Sequence, residues 1–149
     1  MTNRISCLML AVALGAGAGS SLAGDEASRG PCDLALSYRS PIDDTDQPYR
    51  LYLPSAYDGT QRLPLFIALH GTGGDQNKYF DHPAYGDGIY KREAEKRGIA
   101  VVCPHGRGTT EYRGIGENDV LTVVEEVCRR FLIDRDRIVC SGQIGRAHV

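Results

Sequence analysis

Tryptophan is missing from this chain, which on its own decides nothing. Other absences decide more. No basic cluster exceeds Lys91-Arg92 or Lys96-Arg97, both on a predicted helix, and the formal net charge is −2, so nucleic acid is not an expected partner. There is no Gly-Lys-Ser or Gly-Lys-Thr, so a phosphate loop of that kind is excluded. Gly71-Thr72-Gly73 begins a dinucleotide fingerprint, but Gln76 stands where its third glycine belongs. His82 and His105 lie in polar segments without ligand-like spacing, and no calcium-loop spacing follows Asp43-Asp44-Thr45-Asp46. The sequence therefore predicts no cofactor and no metal, and reads the acidic stretch as a solvated turn. No internal repeat is visible. With 149 residues and 42% of them hydrophobic, the composition is that of one globular domain at most.

What is present begins with an export signal. Residues 1–23 carry a positive start at Arg4, an apolar core from Ile5 to about Gly17, and the small-residue ending Ser21-Leu22-Ala23. The core is too short and too rich in alanine and glycine to cross a bilayer of roughly 30 Å, so a cleaved signal peptide is predicted rather than an anchor. A secreted or periplasmic location follows, with no membrane role beyond export. Cys7 sits at the front of the apolar core, whereas a lipidated cysteine would follow it. Export permits disulfides among Cys32, Cys103, Cys128 and Cys140, but spacing cannot assign them. Buried thiols are the expectation, because Cys103 and Cys140 lie in apolar runs and Cys128 on the apolar face of a helix.

Residues 63–74 organise the rest. Leu-Pro-Leu-Phe-Ile-Ala-Leu is an apolar run that stops at His70-Gly71-Thr72-Gly73-Gly74, the pattern of a strand buried on both faces followed by a sharp turn. In parallel sheets ligands are met at the carboxyl ends of strands, which places residues 71–74 where a substrate would sit. Upstream, residues 24–32 read as a flexible linker, and residues 34–38 and 49–53 as two strands, the second half-buried and near an edge. Downstream, residues 75–88 read as loop with one possible helical turn. A helix over 89–97 is closed by Gly98, a strand covers 99–103, and the spacing is that of a βαβ unit. Asn118 or Asp119 is predicted to cap a helix with Val120, Val124, Val127 and Phe131 on its inner stripe, ending near Leu132. Asp134-Arg135-Asp136 should turn the chain into a last apolar strand over 137–142.

Taken together, Leu51-Tyr52-Leu53-Pro54, the run from Leu63 to Gly71, Ala94-Glu95-Lys96-Arg97-Gly98, and Asp119 through Asp134-Arg135-Asp136-Arg137-Ile138 resemble secreted esterases of the α/β-hydrolase superfamily. The resemblance is to polyhydroxybutyrate depolymerases and feruloyl or acetylxylan esterases, and to the wider prolyl-oligopeptidase-like branch, over residues 51–142. It implies an α/β fold: the N-terminal half of an α/β-hydrolase, a mostly parallel sheet flanked by helices, with its five strands ordered 1-2-4-3-5. It also implies that residues 71–72 form an oxyanion loop, the backbone N–H of Thr72 with Gly71 donating to the negative oxygen of acyl transfer. His70 would support that loop from behind as a structural residue rather than act as a base.

The pattern then breaks. In such enzymes the last strand runs into Gly-x-Ser-x-Gly, the strained nucleophile elbow. Gly142 takes the first glycine's place, but Ile144 stands at the serine position and Arg146 at the second glycine. Isoleucine has no atom that can attack an acyl carbon. One account is a natural pseudo-hydrolase; the favoured one is a sequence join. Ile-Gly-Arg-Ala-His-Val followed by the chain end is what a common sequencing-adapter oligonucleotide, ATC GGA AGA GCA CAC GTC TGA, encodes, so residues 143–149 are read as adapter and residues 33–142 as a partial hydrolase domain. No catalytic serine, acid or histidine is then present.

The expectation is thus a parent serine hydrolase acting on a small ester or polymer substrate, with this chain inactive by itself. A peptidase of the prolyl-oligopeptidase-like branch and a non-catalytic polymer-binding pseudo-hydrolase are the alternatives. Oligomeric state is not predicted. The last strand should be an open apolar edge, and the chain should express poorly for that reason.

Overall fold

A computed structural model describes residues 32–85, 88–108 and 110–142. The readings of residues 1–23, 24–31 and 143–149 lie outside them. Five strands form one sheet: β1 (Cys32–Arg39), β2 (Asp46–Leu53), β3 (Leu63–Leu69), β4 (Ala100–Pro104) and β5 (Ile133–Gly142), in the order β1-β2-β4-β3-β5. The order is the one the resemblance implied. β4, β3 and β5 run parallel, while β1 pairs antiparallel with β2 and β2 with β4, so the sheet is mixed. Among the described residues no helix is long and apolar enough to cross a membrane.

Helices cover both faces. Helix α3 (Ile115–Arg130) lies on one, packing Val120, Val123 and Val127 against Leu36, Leu51, Leu65, Ile67 and Val102. The short α1 (Lys78–Asp81), a 3₁₀ turn (Pro83–Tyr85) and α2 (Ile89–Arg97) lie on the other, where Tyr79, Phe80 and Ala94 meet Tyr52, Ala68, Val101 and Cys103. The alternation of strand side chains sorts these two sets by parity. Helix α2 ends as predicted, at Gly98 with φ 63°, a left-handed cap that a side chain would strain. β2 is second from the sheet edge and more buried than its pattern suggested, with Leu51, Tyr52 and Leu53 all in the core.

Three expectations are corrected. Helix α3 starts a turn before Asn118 and Asp119, at Ile115 after Gly114. Asp119 cannot cap, because it is buried in the second turn and its carboxylate accepts from Tyr38 and Arg107. Asp134-Arg135-Asp136 is not a turn but a bulge inside β5. Ile133 pairs with Leu63 and Ile138 with Leu65, so five steps along β5 face two along β3. Cys140 is exposed rather than buried, because β5 lies at the sheet edge with neither face fully covered; Val139 beside it is 57% exposed. Cys103 is buried as expected, and Cys32 and Cys128 are half-buried.

Candidate active site

The parallel strands β3, β4 and β5 all end on one side of the sheet, and the loops that leave β3 and β4 meet there. The turn after β3 is tight: the N–H of Gly74 donates to the carbonyl of Gly71 at 3.0 Å, closing residues 71–74. Gly74 is tightly enclosed: a Cβ there would lie 2.6 Å from Lys78 Cδ, which would have to move, and 3.0 Å from His70 Nδ1. Gly71 is buried, whereas Thr72 and Gly73 are exposed.

His70 is fully buried behind this turn. Its Nδ1 lies 3.0 Å from the Gly71 carbonyl and its Nε2 2.9 Å from the His105 carbonyl, so the ring bridges the β3 and β4 loops. Both ring nitrogens face backbone oxygens, and the one that carries the proton donates to its carbonyl, the arrangement of a brace. A general base needs a nitrogen within hydrogen-bond reach of a reacting proton. The brace also sets a direction. The Gly71 carbonyl is held by Gly74 N–H and faces His70, and in a planar trans peptide the N–H of Thr72 points to the opposite side. This is the donor that the sequence reading singled out.

The loop between β4 and α3 backs His70. Tyr112 receives the N–H of His70 on its hydroxyl at 3.1 Å and sits 5.4 Å from the imidazole, centroid to centroid. Arg107, Glu111 and Tyr112 of this loop have φ of 60°, 57° and 54°, left-handed values that cost non-glycine residues of order 1 kcal/mol each. A charged cluster holds Arg107. Arg107 donates to Asp119 Oδ2 at 2.5 Å, to Ser40 Oγ at 3.0 Å and to Asp43, while Tyr38 donates to Asp119 Oδ1 at 2.5 Å. Arg107 holds the Asp43 carboxyl well below the usual carboxylate range, and burial with the adjacent Asp119 pushes the Tyr38 phenol up. Burial, reinforced by the His70 ring, lowers His105 below the ordinary histidine value.

On the other side of the loop a cleft of about 510 Å³ opens between Gly73-Gly74 and helix α1, lined by Asp75, Asn77, Lys78, Asp81, His82 and Pro83. Among the described residues no group of three or more His, Cys, Asp or Glu side chains could hold a metal ion. His82 donates nothing to the loop; its Nδ1 accepts the N–H of Ala84 at 3.1 Å.

β5 completes the site's frame. It pairs with β3 to the end, Gly142 opposite Leu69, so the last described residue of β5 lies one residue short of His70 along the neighbouring strand. The architecture, strand order and loop placement are those of part of one known fold. The fold is a partial α/β-hydrolase. Neither a protein-family model nor a curated protein sequence matches the chain. Solved structures do. An S-formylglutathione hydrolase from Staphylococcus aureus is 19% identical at a TM-score of 0.59, the match covering 75% of this chain and 47% of that one. A fluorophosphonate-binding serine hydrolase from the same organism is 21% identical at 0.60, covering 76% and 47%. A ferulic acid esterase from Anaeromyces mucronatus, solved with ferulic acid, is 15% identical at 0.58, covering 80% and 51%. The chain therefore spans about half the length of these α/β-hydrolases.

The sequence reading named His70, Gly71 and Thr72, and the fold brings them together at the end of β3. It missed Tyr79, His105, Arg107 and Tyr112. No local pattern marks them, because their partners lie 10 to 67 residues away.

Proposed function

We propose that this chain is the oxyanion-loop half of a secreted serine esterase that cleaves carboxylic esters through an acyl-enzyme, and that the 149 residues alone do not catalyse the reaction. One observation carries the reading: β5 ends at Gly142 in register with Leu69, immediately before His70-Gly71-Thr72. A Gly-x-Ser-x-Gly elbow starting at Gly142 would therefore begin beside the loop whose Thr72 N–H is turned away from the His70 brace. The similar solved structures are named as an S-formylglutathione hydrolase, a fluorophosphonate-binding serine hydrolase and a ferulic acid esterase, which supports hydrolytic chemistry of this kind.

In that reaction a serine hydroxyl attacks the acyl carbon, an imidazole takes its proton, and the oxygen that becomes negative is met by backbone N–H groups. Thr72 supplies one of them here. Each such donor is worth about 10²- to 10³-fold in rate. The acid and histidine of the triad follow the serine in this fold's chain order, so a longer gene product supplies them. The substrate is a small ester or an ester polymer.

The test is hydrolysis of p-nitrophenyl acetate, together with labelling by a fluorophosphonate, for the 149-residue chain and for the product of the gene read past Gly142. The longer product should hydrolyse and label, and the short chain should do neither. A longer product that does neither would remove the esterase reading.

A further inference from the structure

The peptide group between Leu69 and His70 is where β3 gives way to the loop, and its two polar atoms are each taken by a tyrosine hydroxyl. Tyr79, from α1, donates its O–H to the Leu69 carbonyl at 3.1 Å. Tyr112, from the β4–α3 loop, accepts the His70 N–H at 3.1 Å. Both rings are buried, at 5% and 2% exposure, and they come from opposite sides of the sheet's two hydrophobic clusters.

The placement has a physical logic. A buried N–H or C=O left unpaired costs about 1–3 kcal/mol. Backbone or water could meet that need. Two rigid phenols meet it instead. Tyr79 is wedged between Tyr90 at 4.8 Å and Tyr85 at 5.1 Å, and burial with the Tyr90 neighbour pushes its phenol up to about 12, so it stays a donor. Tyr112 is seated with its ring against Gly106, where a Cβ would come within 2.2 Å of it, at a left-handed φ of 54°.

We propose that Tyr79 and Tyr112 are positioning residues that clamp the Leu69–His70 peptide and thereby fix the orientation of the Gly71–Thr72 peptide that follows it. The step from clamp to loop is short. Fixing the plane before His70 fixes where the imidazole stands, and His70 Nδ1 in turn faces the Gly71 carbonyl whose partner N–H is that of Thr72. Its consequence for catalysis rests on the esterase reading above; the clamp itself does not.

The experiment is hydrogen exchange read by mass spectrometry on the full chain at sub-micromolar concentration, where association through β5 is minimal. Tyr79→Phe and Tyr112→Phe each remove one hydroxyl and little volume. Each should speed exchange in the peptide covering residues 70–74 by about tenfold while exchange in α3 and β2 stays at the wild-type rate. Tyr90→Phe, which alters the same aromatic cluster without touching the clamped peptide, should leave the loop unchanged. Uniform acceleration across all elements, or none in residues 70–74, would overturn the clamp, as would an equal effect of Tyr90→Phe. Should Tyr112→Phe fail to fold, Tyr79→Phe decides alone, because it leaves only a carbonyl unmet. In the longer gene product the same variants should lower kcat about tenfold with KM unchanged, the split expected of a group that acts on transition-state geometry. A rise in KM with kcat unchanged would contradict that consequence while leaving the exchange result standing.

Discussion

Arg107 Nε and Asp119 Oδ2 lie 2.5 Å apart, and the pair joins the loop after β4 to the second turn of α3. The same carboxylate receives the Tyr38 hydroxyl from β1, and the same guanidinium reaches Ser40 and Asp43 in the β1–β2 turn. The cluster thus ties four segments together on the side of the sheet that α3 covers. It anchors the loop that carries His105 and Tyr112 at Arg107, one of the loop's left-handed residues.

Removing the hydroxyl of Tyr38 should therefore destabilise the fold. Tyr38→Phe leaves the buried Asp119 short of one donor, and a hydrogen bond to a charged group is worth about 1.5–3 kcal/mol. Urea melts of the variant should show a lower midpoint with an unchanged slope. Asp119→Ala should cost more, since it removes the acceptor of Tyr38 and one of the acceptors of Arg107.

Stability should also fall with pH in a window set by His105. Burial and the His70 ring lower this group below its ordinary value of 6.5, so the folded state prefers the neutral imidazole. The unfolded chain binds the proton more readily. Stability is then fully present above about pH 6.5 and declines as the pH falls through the lowered folded value. His105→Gln should flatten the midpoint profile between pH 7 and pH 5. An identical profile in the variant would contradict the assignment.

The core makes its own prediction. Leu51 is fully buried in β2, packed between the neighbours of β1 and β4 and under α3. Leu51→Ala should lower unfolding free energy by about 2–5 kcal/mol, measured by denaturant titration.

β5 is the vulnerable edge. It ends the sheet with Val139 57% exposed and Cys140 exposed, and an apolar strand with open hydrogen-bonding groups invites pairing with another chain. The chain should collect in inclusion bodies, and Val139→Lys should raise its soluble fraction. In folded protein a thiol reagent should reach Cys140 well before the buried Cys103. Equal solubility of the variant and wild type would argue that β5 is not the seat of association.

Much of this was legible in the sequence, and the reasons differ by element. The strand over residues 63–69 announces itself by an unbroken apolar run with glycines behind it, and α2 by Gly98 at its end. The supporting role expected of His70 came from the resemblance, not from a local pattern. Helix α3 was misplaced at its start because Asp119 has the chemistry of a cap, yet is drawn into a buried cluster by Tyr38, 81 residues away. The bulge over Asp134-Arg135-Asp136 looked like a turn for a similar reason. Its charges point to solvent, and only the pairing of Leu63 with Ile133 reveals that the strand has already begun. Long-range pairings of this kind leave no local trace.

The measurement that tests the central claim most directly is the nucleotide sequence of the source locus beyond the codon for Gly142, read with primers that exclude library adapters. The account predicts a serine codon two positions after Gly142, then a glycine two positions further, with an Asp and a His downstream. An isoleucine codon at position 144 followed by a stop after Val149 in independent DNA would contradict it, and leave a folded hydrolase remnant without a nucleophile.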